Sequence, residues 1–216
     1  IYNFLSQNTL EVLGLNRNCG PFWEPGQFGV YLCIALFFNL FVEKQNLRYV
    51  NPILIIALIT TFSTGAYVAG FYIFLIYALF KSRNVFVTII YLVIIIIVWQ
   101  YVSDLEFISA KIINQFESAE IGNDRSRFSA FITQIQMINN SPLLGGESIA
   151  DYTYMDRNTL ASGILLPIVI LGIPFGITYL VYICISCCGI TNTCHHSPKL
   201  IGVLFFILLL ILSFSQ

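Results

Sequence analysis

The feature that most constrains this chain is a run of 31 residues, 50–80, that contains no charged side chain. As one helix the run would be about 46 Å long, too long for the roughly 30 Å hydrocarbon core of a bilayer even with ordinary tilt. The run can instead fold into two short helices that turn at Ser63-Thr64-Gly65. Four other apolar stretches qualify or nearly qualify as spans: 28–42, 85–101, 162–186 and 200–214. The sequence therefore predicts an all-α, polytopic membrane helix bundle of about six spans.

The composition excludes several classes of protein. Only 10% of the residues are charged, against about 25% in a soluble domain, and the mean hydropathy is +0.82. A chain of this size with so few charges is not a water-soluble enzyme. Ten Lys and Arg against eleven Asp and Glu give a net charge of −1, which leaves no basic surface for nucleic acid. Because Ile1 is not followed by a signal-peptide pattern, we expect further chain upstream.

Positive charges predict the orientation, because Lys and Arg are enriched in cytoplasmic loops. Lys44 and Arg48 precede the 31-residue run and Lys81 and Arg83 follow it. Both pairs are cytoplasmic only if the chain crosses the membrane twice between them, which favours two short helices over one long helix. The same arrangement places Lys199 on the cytoplasmic side. The chain then divides into an outer segment 1–27, four spans within 28–101, an outer loop 102–161 and two spans within 162–216.

The ionisable chemistry gathers on the outer side. None of the predicted spans carries an ionisable residue near its centre, and this argues against an ion-coupled transporter. In the outer loop, Asn123 or Asp124 can cap a helix that ends near Asn140, because Pro142 disfavours helix at Ser141. The apolar stripe of that helix is Phe128, Phe131, Ile132, Ile135 and Ile138.

Arg125 and Arg127 fall in the first turn of the same helix. Cations there oppose the helix dipole, but two Arg beside free N–H groups suit a phosphate. The alternative is that they form surface ion pairs, with Glu117, Glu120 or Asp124 as partners.

The segment before the first span brings Arg17 and Glu24 together with the turn residues Pro25 and Gly26. The alternative for this segment is a membrane-interface anchor formed by Phe22 and Trp23.

Two other clusters have simpler interpretations. The run Cys187-Cys188 to Cys194-His195-His196 has soft-metal ligand types but lacks paired zinc-site spacing, so we favour reduced thiols. Small residues allow close helix packing in lipid, and we assign that role to a set of five: Ala66, Ala69, Gly70, Gly172 and Gly176.

Four motifs in chain order resemble the O-antigen ligase and polymerase superfamily. The first resembles that family's Arg-x-x-Gly-x-Phe-x-Glu-Pro pattern: Arg17, then Phe22-Trp23-Glu24-Pro25-Gly26-Gln27-Phe28-Gly29. The second is similar to its Thr-x-Ser-Arg-Gly-Ala turn: Thr61-Phe62-Ser63-Thr64-Gly65-Ala66. The third resembles its Arg…Ser/Asp-Pro-Leu-x-Gly-x-Gly loop: Arg127, then Ser141-Pro142-Leu143-Leu144-Gly145-Gly146. The fourth is like its Asn…Gly…Gly ending: Asn158, Gly172 and Gly176.

The resemblance implies a GT-C-like, C-terminal half of a bacterial inner-membrane enzyme whose active face is periplasmic. It implies glycosyl transfer from undecaprenyl pyrophosphate-linked glycan, without a metal or other cofactor, within membrane lipid and with a chain-length regulator as a further partner. Catalytic residues are expected at four positions: Arg17, Glu24, Arg125 and Arg127. Substrate contacts are expected at six more: Ser63, Gly145, Gly146, Glu147, Arg157 and Asn158. Glu24 is the first candidate base, followed by Glu147 and Asp156.

Two departures from the family pattern bear on the reaction. Thr64 replaces the family's Arg in the Ser-Arg-Gly turn, and Arg157 stands where ligases commonly have a His before Asn158. A ligase that depends on that His would be impaired, so the sequence favours an O-antigen or capsular polysaccharide polymerase. The alternatives are an O-antigen ligase that transfers polymer to a lipid A core and, from another class, a transporter of lipid-linked sugars.

Overall fold

The computed structural model describes residues 11–12, 15–22, 24–43, 49–81, 93, 127–145, 163, 165–193 and 197–215. Six α-helices have their bounds in these ranges: α1 Pro25–Phe37, continued by a π-helical turn Phe38–Val42, α2 Val50–Thr60, α3 Thr64–Lys81, α4 Arg127–Asn140, α5 Leu166–Ile190 and α6 Pro198–Ser215. A 3-10 helical turn, Thr191–Thr193, follows α5. A two-residue antiparallel ladder, β1 Glu11–Val12 with β2 Leu15–Asn16, precedes them. The predicted all-α class is confirmed.

Two helices are long and apolar enough to cross a membrane: Pro25–Val42, with 18 residues, and Leu166–Ile190, with 25. Three more are apolar but shorter: Val50–Thr60, Thr64–Phe80 and Pro198–Phe214. The predicted span 85–101 lies outside the described residues except for Val93. The chain thus has two candidate membrane-spanning helices among the described residues, and the six-span arrangement stays a prediction.

The predicted break in the 31-residue run is confirmed, and it falls slightly earlier than Ser63-Thr64-Gly65. The α2 helix ends at Thr60 and α3 begins at Thr64. The Thr61 hydroxyl donates to the Leu58 carbonyl at 2.7 Å and accepts the N–H of Ser63 at 3.3 Å. Side-chain hydroxyls therefore close the turn, as is typical where Ser and Thr compete with helical hydrogen bonds.

The chain separates into two compact units, and α1, α2 and α3 belong to the first. Small residues let α1 and α3 approach closely, since a Cβ built on Gly29 would lie only 2.5 Å from the Cβ of Ala66. Ala66 and Ala69 are fully buried, as are Phe37 and Ile73 in the surrounding core. The predicted packing role of Ala66 and Ala69 is confirmed.

The second unit contains α4, α5 and α6. The α5 helix is broken at Gly172, whose φ of 77° and ψ of 168° are not helical, and Pro174 follows inside the helix. At the C-terminal end of α5, the Thr191 side chain is buried, and its hydroxyl donates to the Pro198 carbonyl at 2.9 Å. This hydrogen bond joins the end of α5 to the start of α6.

The buried face of α4 differs from the predicted stripe. Ile132 and Ile135 are exposed, whereas Gln134 and Met137 are buried. The helix ends at Asn140 as predicted. The pattern misplaced the buried face because the elements that pack against α4 set it, as in the edge-on contact of Phe131 with Phe214 of α6, whose ring centroids lie 5.7 Å apart.

Candidate functional site

Arg17 lies beside the end of α2. Its Nη2 donates to the Phe62 carbonyl at 2.8 Å and its Nε donates to the Thr61 carbonyl at 3.2 Å. A guanidinium at the C-terminal end of a helix meets carbonyl groups that the helix leaves without partners, and it interacts favourably with the helix dipole. Arg17 therefore joins the first motif of the resemblance to the second, the turn Thr61–Ala66.

The neighbouring residue strengthens this connection. Asn18 donates its backbone N–H to the Thr60 carbonyl at 2.9 Å, and its Nδ2 donates to the Thr60 hydroxyl at 3.0 Å. Tyr67, on α3, donates its hydroxyl to the Ile59 carbonyl at 2.6 Å. Successive carbonyls at the end of α2 are thus satisfied by side chains or backbone from outside the helix. The turn between α2 and α3 is held in one geometry as a result.

Partial burial affects the ionisable groups of this segment. It lowers the pKa of the Arg17 guanidinium from its ordinary value, and the nearby Cys19 and Tyr67 oppose that effect. Arg17 stays protonated at neutral pH, because an Arg side chain holds its proton far above pH 7. Burial raises the pKa of the Cys19 thiol, and the charge of Arg17 partly offsets the rise. Cys19 is therefore a neutral thiol at pH 7.

Glu24 is the residue before α1, and its backbone is extended with φ −124° and ψ 134°, as expected before a proline. Its carbonyl accepts the N–H of Phe28 at 3.2 Å, but its side chain does not cap the helix. The carboxylate is exposed, and among the described residues it has no hydrogen-bond or ion-pair partner. It is sterically available to a substrate at this end of α1.

An aromatic stack lies in the same segment. The Phe22 ring stacks on Tyr31 with centroids 4.6 Å apart and planes 11° apart, and it lies 6.0 Å from Phe28. Phe22 is thereby fixed against α1. The segment can therefore act as a membrane-interface anchor through Phe22 and still carry Arg17 and Glu24 as site residues. Trp23, the other proposed anchor, lies outside the described residues.

The third and fourth motifs meet in the second unit. The carbonyl of Pro142 accepts the N–H of Ile173 at 2.8 Å, directly after the α5 break. Gly145 has φ +59°, and a Cβ there would lie 2.6 Å from the backbone nitrogen of Gly172. A Cβ on Gly172 would in turn collide with the Leu143 carbonyl oxygen. The two backbones touch, and only glycine at both positions permits this contact.

The remaining predicted site residues are described only in part. Arg127 begins α4 as the structure has it, but nothing is described of its side chain. Ser63 is buried, and its hydroxyl accepts the N–H of Ala66 at 3.5 Å, which makes it a helix cap for α3. Other predicted residues lie outside the described ranges, namely Arg125, Gly146, Glu147, Asp156, Arg157 and Asn158.

Sequence reasoning missed two structural roles. It gave Arg17 only a catalytic role, although a cation near a helix C-terminus is a known capping arrangement. It also treated Gly172 as packing, although Gly-Ile-Pro within an apolar run is a recognisable signal for a helix break. The described residues contain no group of three or more His, Cys, Asp or Glu that could hold a metal ion. Cys194, His195 and His196 lie outside that part of the chain.

Comparison of the chain with protein-family models, with curated proteins and with solved structures finds no match in any of the three.

Proposed function

We propose that this chain is part of a polysaccharide polymerase of the O-antigen or capsule type, in a bacterial inner membrane. In this proposal the six-span, GT-C-like bundle turns Arg17 and Glu24 to the periplasmic face. The donor is an oligosaccharide repeat unit on undecaprenyl pyrophosphate, and the acceptor is a second lipid-linked glycan.

One observation carries the proposal: the motifs of the resemblance are in contact in pairs. The segment of Arg17 is hydrogen-bonded to the turn Thr61–Ala66, and the loop Pro142–Gly145 packs against the break at Gly172. When motifs that are far apart in sequence contact each other, each motif helps to hold the other in place. This supports reading the four motifs as two structural pairs, one in each unit, rather than as four unrelated short matches.

The proposed chemistry is a single displacement. The acceptor sugar hydroxyl attacks the anomeric carbon of the donor, the bond from that carbon to the pyrophosphate oxygen breaks, and the pyrophosphate leaves with the electron pair. Glu24 takes the proton of the attacking hydroxyl. Arg125 and Arg127 stabilise the negative charge on the leaving pyrophosphate, a form of electrostatic stabilisation that usually contributes much of the rate.

The contacts of Arg17 suggest a structural role beside its expected catalytic one. Since Nε and Nη2 already donate to backbone carbonyls, the side chain fixes the α2–α3 turn relative to the segment that carries Glu24. Loss of Arg17 would then lower activity through misplacement of the base. Arg17→Ala is therefore a poor test of the mechanism, because it would change structure and chemistry together. A substitution of Glu24 is a better test.

The decisive experiment replaces Glu24 by Gln in cells that lack their own copy of the gene. The Glu24 carboxylate has no structural partner among the described residues, so the variant is expected to accumulate at normal levels. We expect it to lose long glycan chains, with single repeat units left on the lipid A core. The matched control is Glu43→Gln, an exposed acid at the other end of the same helical segment, which should keep normal chain lengths.

The outcomes separate the candidate functions. Normal chain lengths in Glu24→Gln would contradict Glu24 as the base, and normal lengths in Arg125→Ala as well would contradict the glycosyl-transfer mechanism. Deletion of a polymerase leaves single repeat units on lipid A, whereas deletion of a ligase leaves polymer that is not attached to lipid A. Movement of lipid-linked donor by the purified protein, without joining of units, would favour the transporter.

A further inference from the structure

Phe62, in the turn between α2 and α3, has a backbone conformation that is costly for its residue type. Its φ is +47°, and Ser197 is the only other non-glycine residue with a positive φ in the part of the chain that the structure describes. A left-handed backbone is unfavourable for a bulky residue, because the Cβ crowds the following carbonyl oxygen. Such a conformation persists only where the surrounding structure holds it. The turn is therefore strained at Phe62.

One guanidinium holds both peptide groups that flank the Cα of Phe62. The Thr61 carbonyl, on the N-terminal side, accepts from the Arg17 Nε at 3.2 Å, and the Phe62 carbonyl, on the other side, accepts from Nη2 at 2.8 Å. Rotation about φ or ψ of Phe62 turns one of these peptide groups relative to the other. Arg17 therefore opposes the rotation by which Phe62 would leave the left-handed region.

The hydrogen bonds within the turn are longer than the one from Nη2. The Phe62 nitrogen lies 3.3 Å from the Ile59 carbonyl oxygen, and the Ser63 nitrogen lies 3.3 Å from the Thr61 hydroxyl. Hydrogen bonds at this distance are beyond the usual range for an N–H donor and a carbonyl or hydroxyl oxygen. The turn thus depends on Arg17 more than on its own backbone.

The same donors of Arg17 are suited to a diphosphate. Nε and Nη2 lie on one edge of the guanidinium, and two parallel N–H groups of this kind bind phosphate oxygens in a bidentate contact. Hydrogen bonds to an anion are stronger than those to a neutral carbonyl. The free-energy cost of the strain and the contribution of the two hydrogen bonds are of the same order. Loss of these bonds is therefore enough to let Phe62 relax.

We propose that the turn of residues 61–63 is a latch that Arg17 holds closed and that a diphosphate opens by binding the guanidinium. In the closed state Phe62 is left-handed and Arg17 donates to the carbonyls. In the open state Arg17 donates to the diphosphate, and Phe62 returns to a backbone region that suits its side chain. The identity of the anion rests on the proposed function, in which the donor carries a diphosphate. Donor binding would then loosen the connection between the turn and the segment that carries Glu24.

The first test compares Phe62→Gly with Phe62→Ala in the purified full chain, in a detergent without phosphate. Both variants lack the ring, but only glycine adopts a positive φ without strain, so Phe62→Gly stabilises the closed latch. A change that favours the closed state weakens binding of a ligand that needs the open one. Calorimetric titration with inorganic pyrophosphate should therefore show roughly three- to tenfold weaker binding to Phe62→Gly than to Phe62→Ala. Equal affinities, or no binding to the native chain, would overturn the inference.

The second test follows the turn directly in the native chain. Hydrogen exchange at the backbone N–H groups of Phe62 and Ser63, measured by mass spectrometry, should become about tenfold faster when pyrophosphate is added. The same addition should have a smaller effect on Phe62→Gly. Binding of pyrophosphate without faster exchange would contradict an opening latch.

A lipid headgroup is the other source of phosphate at a membrane surface. Short-chain phosphatidylglycerol, whose phosphate is a diester, is therefore added in a parallel measurement and should leave the exchange unchanged. Equal opening by this lipid would overturn a diphosphate as the ligand. Neither readout requires glycan transfer. Faster exchange with pyrophosphate, together with normal glycan lengths in Glu24→Gln, would support the latch and contradict the proposed base, and the reverse pair of results would do the opposite.

Discussion

Arg17 is a charged side chain that donates hydrogen bonds to backbone carbonyls. Two of its nitrogens donate to Thr61 and Phe62 at the end of α2. Hydrogen bonds with a charged donor are stronger than neutral ones, and their acceptors here are two successive carbonyls that follow the end of α2. At the scale of the residue, Arg17 therefore contributes to stability whether or not it also contacts a substrate.

We predict that the free energy of unfolding decreases in the order native, Arg17→Lys, Arg17→Ala. Lys keeps the charge but cannot match the fork of donors of the guanidinium. The Ala variant should lose about 1–3 kcal/mol, since it removes hydrogen bonds to a charged group. Unfolding by SDS or urea in mixed micelles measures the change.

Glu24→Gln is the control for that series, because it lies in the same segment and its side chain has no partner among the described residues. Its unfolding should match that of the native protein. If Arg17→Ala unfolded as the native protein does, the side chain would not support the turn, and its role would be restricted to substrate.

The α5 helix is long and apolar enough to cross a membrane, and it is broken at Gly172. The backbone of Gly172 lies in a region that residues with a side chain essentially do not occupy. The break releases the N–H of Ile173 from the helix, and the carbonyl of Pro142 accepts it. The loop after α4 thereby supplies the hydrogen bond that α5 loses.

We predict that Gly172→Ala destabilises the protein by about 1–3 kcal/mol from backbone strain alone, and by more from the collision of its Cβ with the Leu143 carbonyl. The matched control is Gly189→Ala in the same helix, where no atom lies within 4 Å of an added Cβ. That control should be neutral or slightly stabilising, since Ala favours helix over Gly. The thermal unfolding midpoint in detergent distinguishes the two, and equal midpoints would contradict a required break.

For the whole molecule, the number of membrane crossings determines which residues lie on the same side of the membrane. With six spans, residue 24 is outside and residue 192, after α5, is inside. If only the two long helices crossed, residues 24 and 192 would both be outside. The exposed positions Glu24, Tyr49 and Asn192 are suited to test this.

We predict that Glu24→Cys reacts with a membrane-impermeant maleimide added to intact cells, whereas Tyr49→Cys and Asn192→Cys react only after the membrane is opened. The native cysteines would first be replaced. Tyr49→Cys is the internal control, because it follows α1 and is inside in both arrangements. Labelling of Asn192→Cys from outside would reject the six-span topology.

Local features of the sequence were enough to predict the helical class, the turn within the 31-residue run and the end of α4 at Asn140. Each follows from local rules, since a charge-free run has a limited length in lipid and a proline disfavours helix at the residue before it. The same reasoning marked Arg17, Glu24 and the small residues Ala66 and Ala69 as positions of interest, although it did not find every role.

Which of these residues are neighbours became known from the folded chain. The hydrogen bonds of Arg17 join positions more than forty residues apart, and the break at Gly172 is visible as a requirement only beside the loop of Gly145. The buried face of α4, with Gln134 enclosed and Ile132 exposed, depends on what packs against it. Contacts of this kind join residues that are distant in sequence, so a local pattern does not specify them.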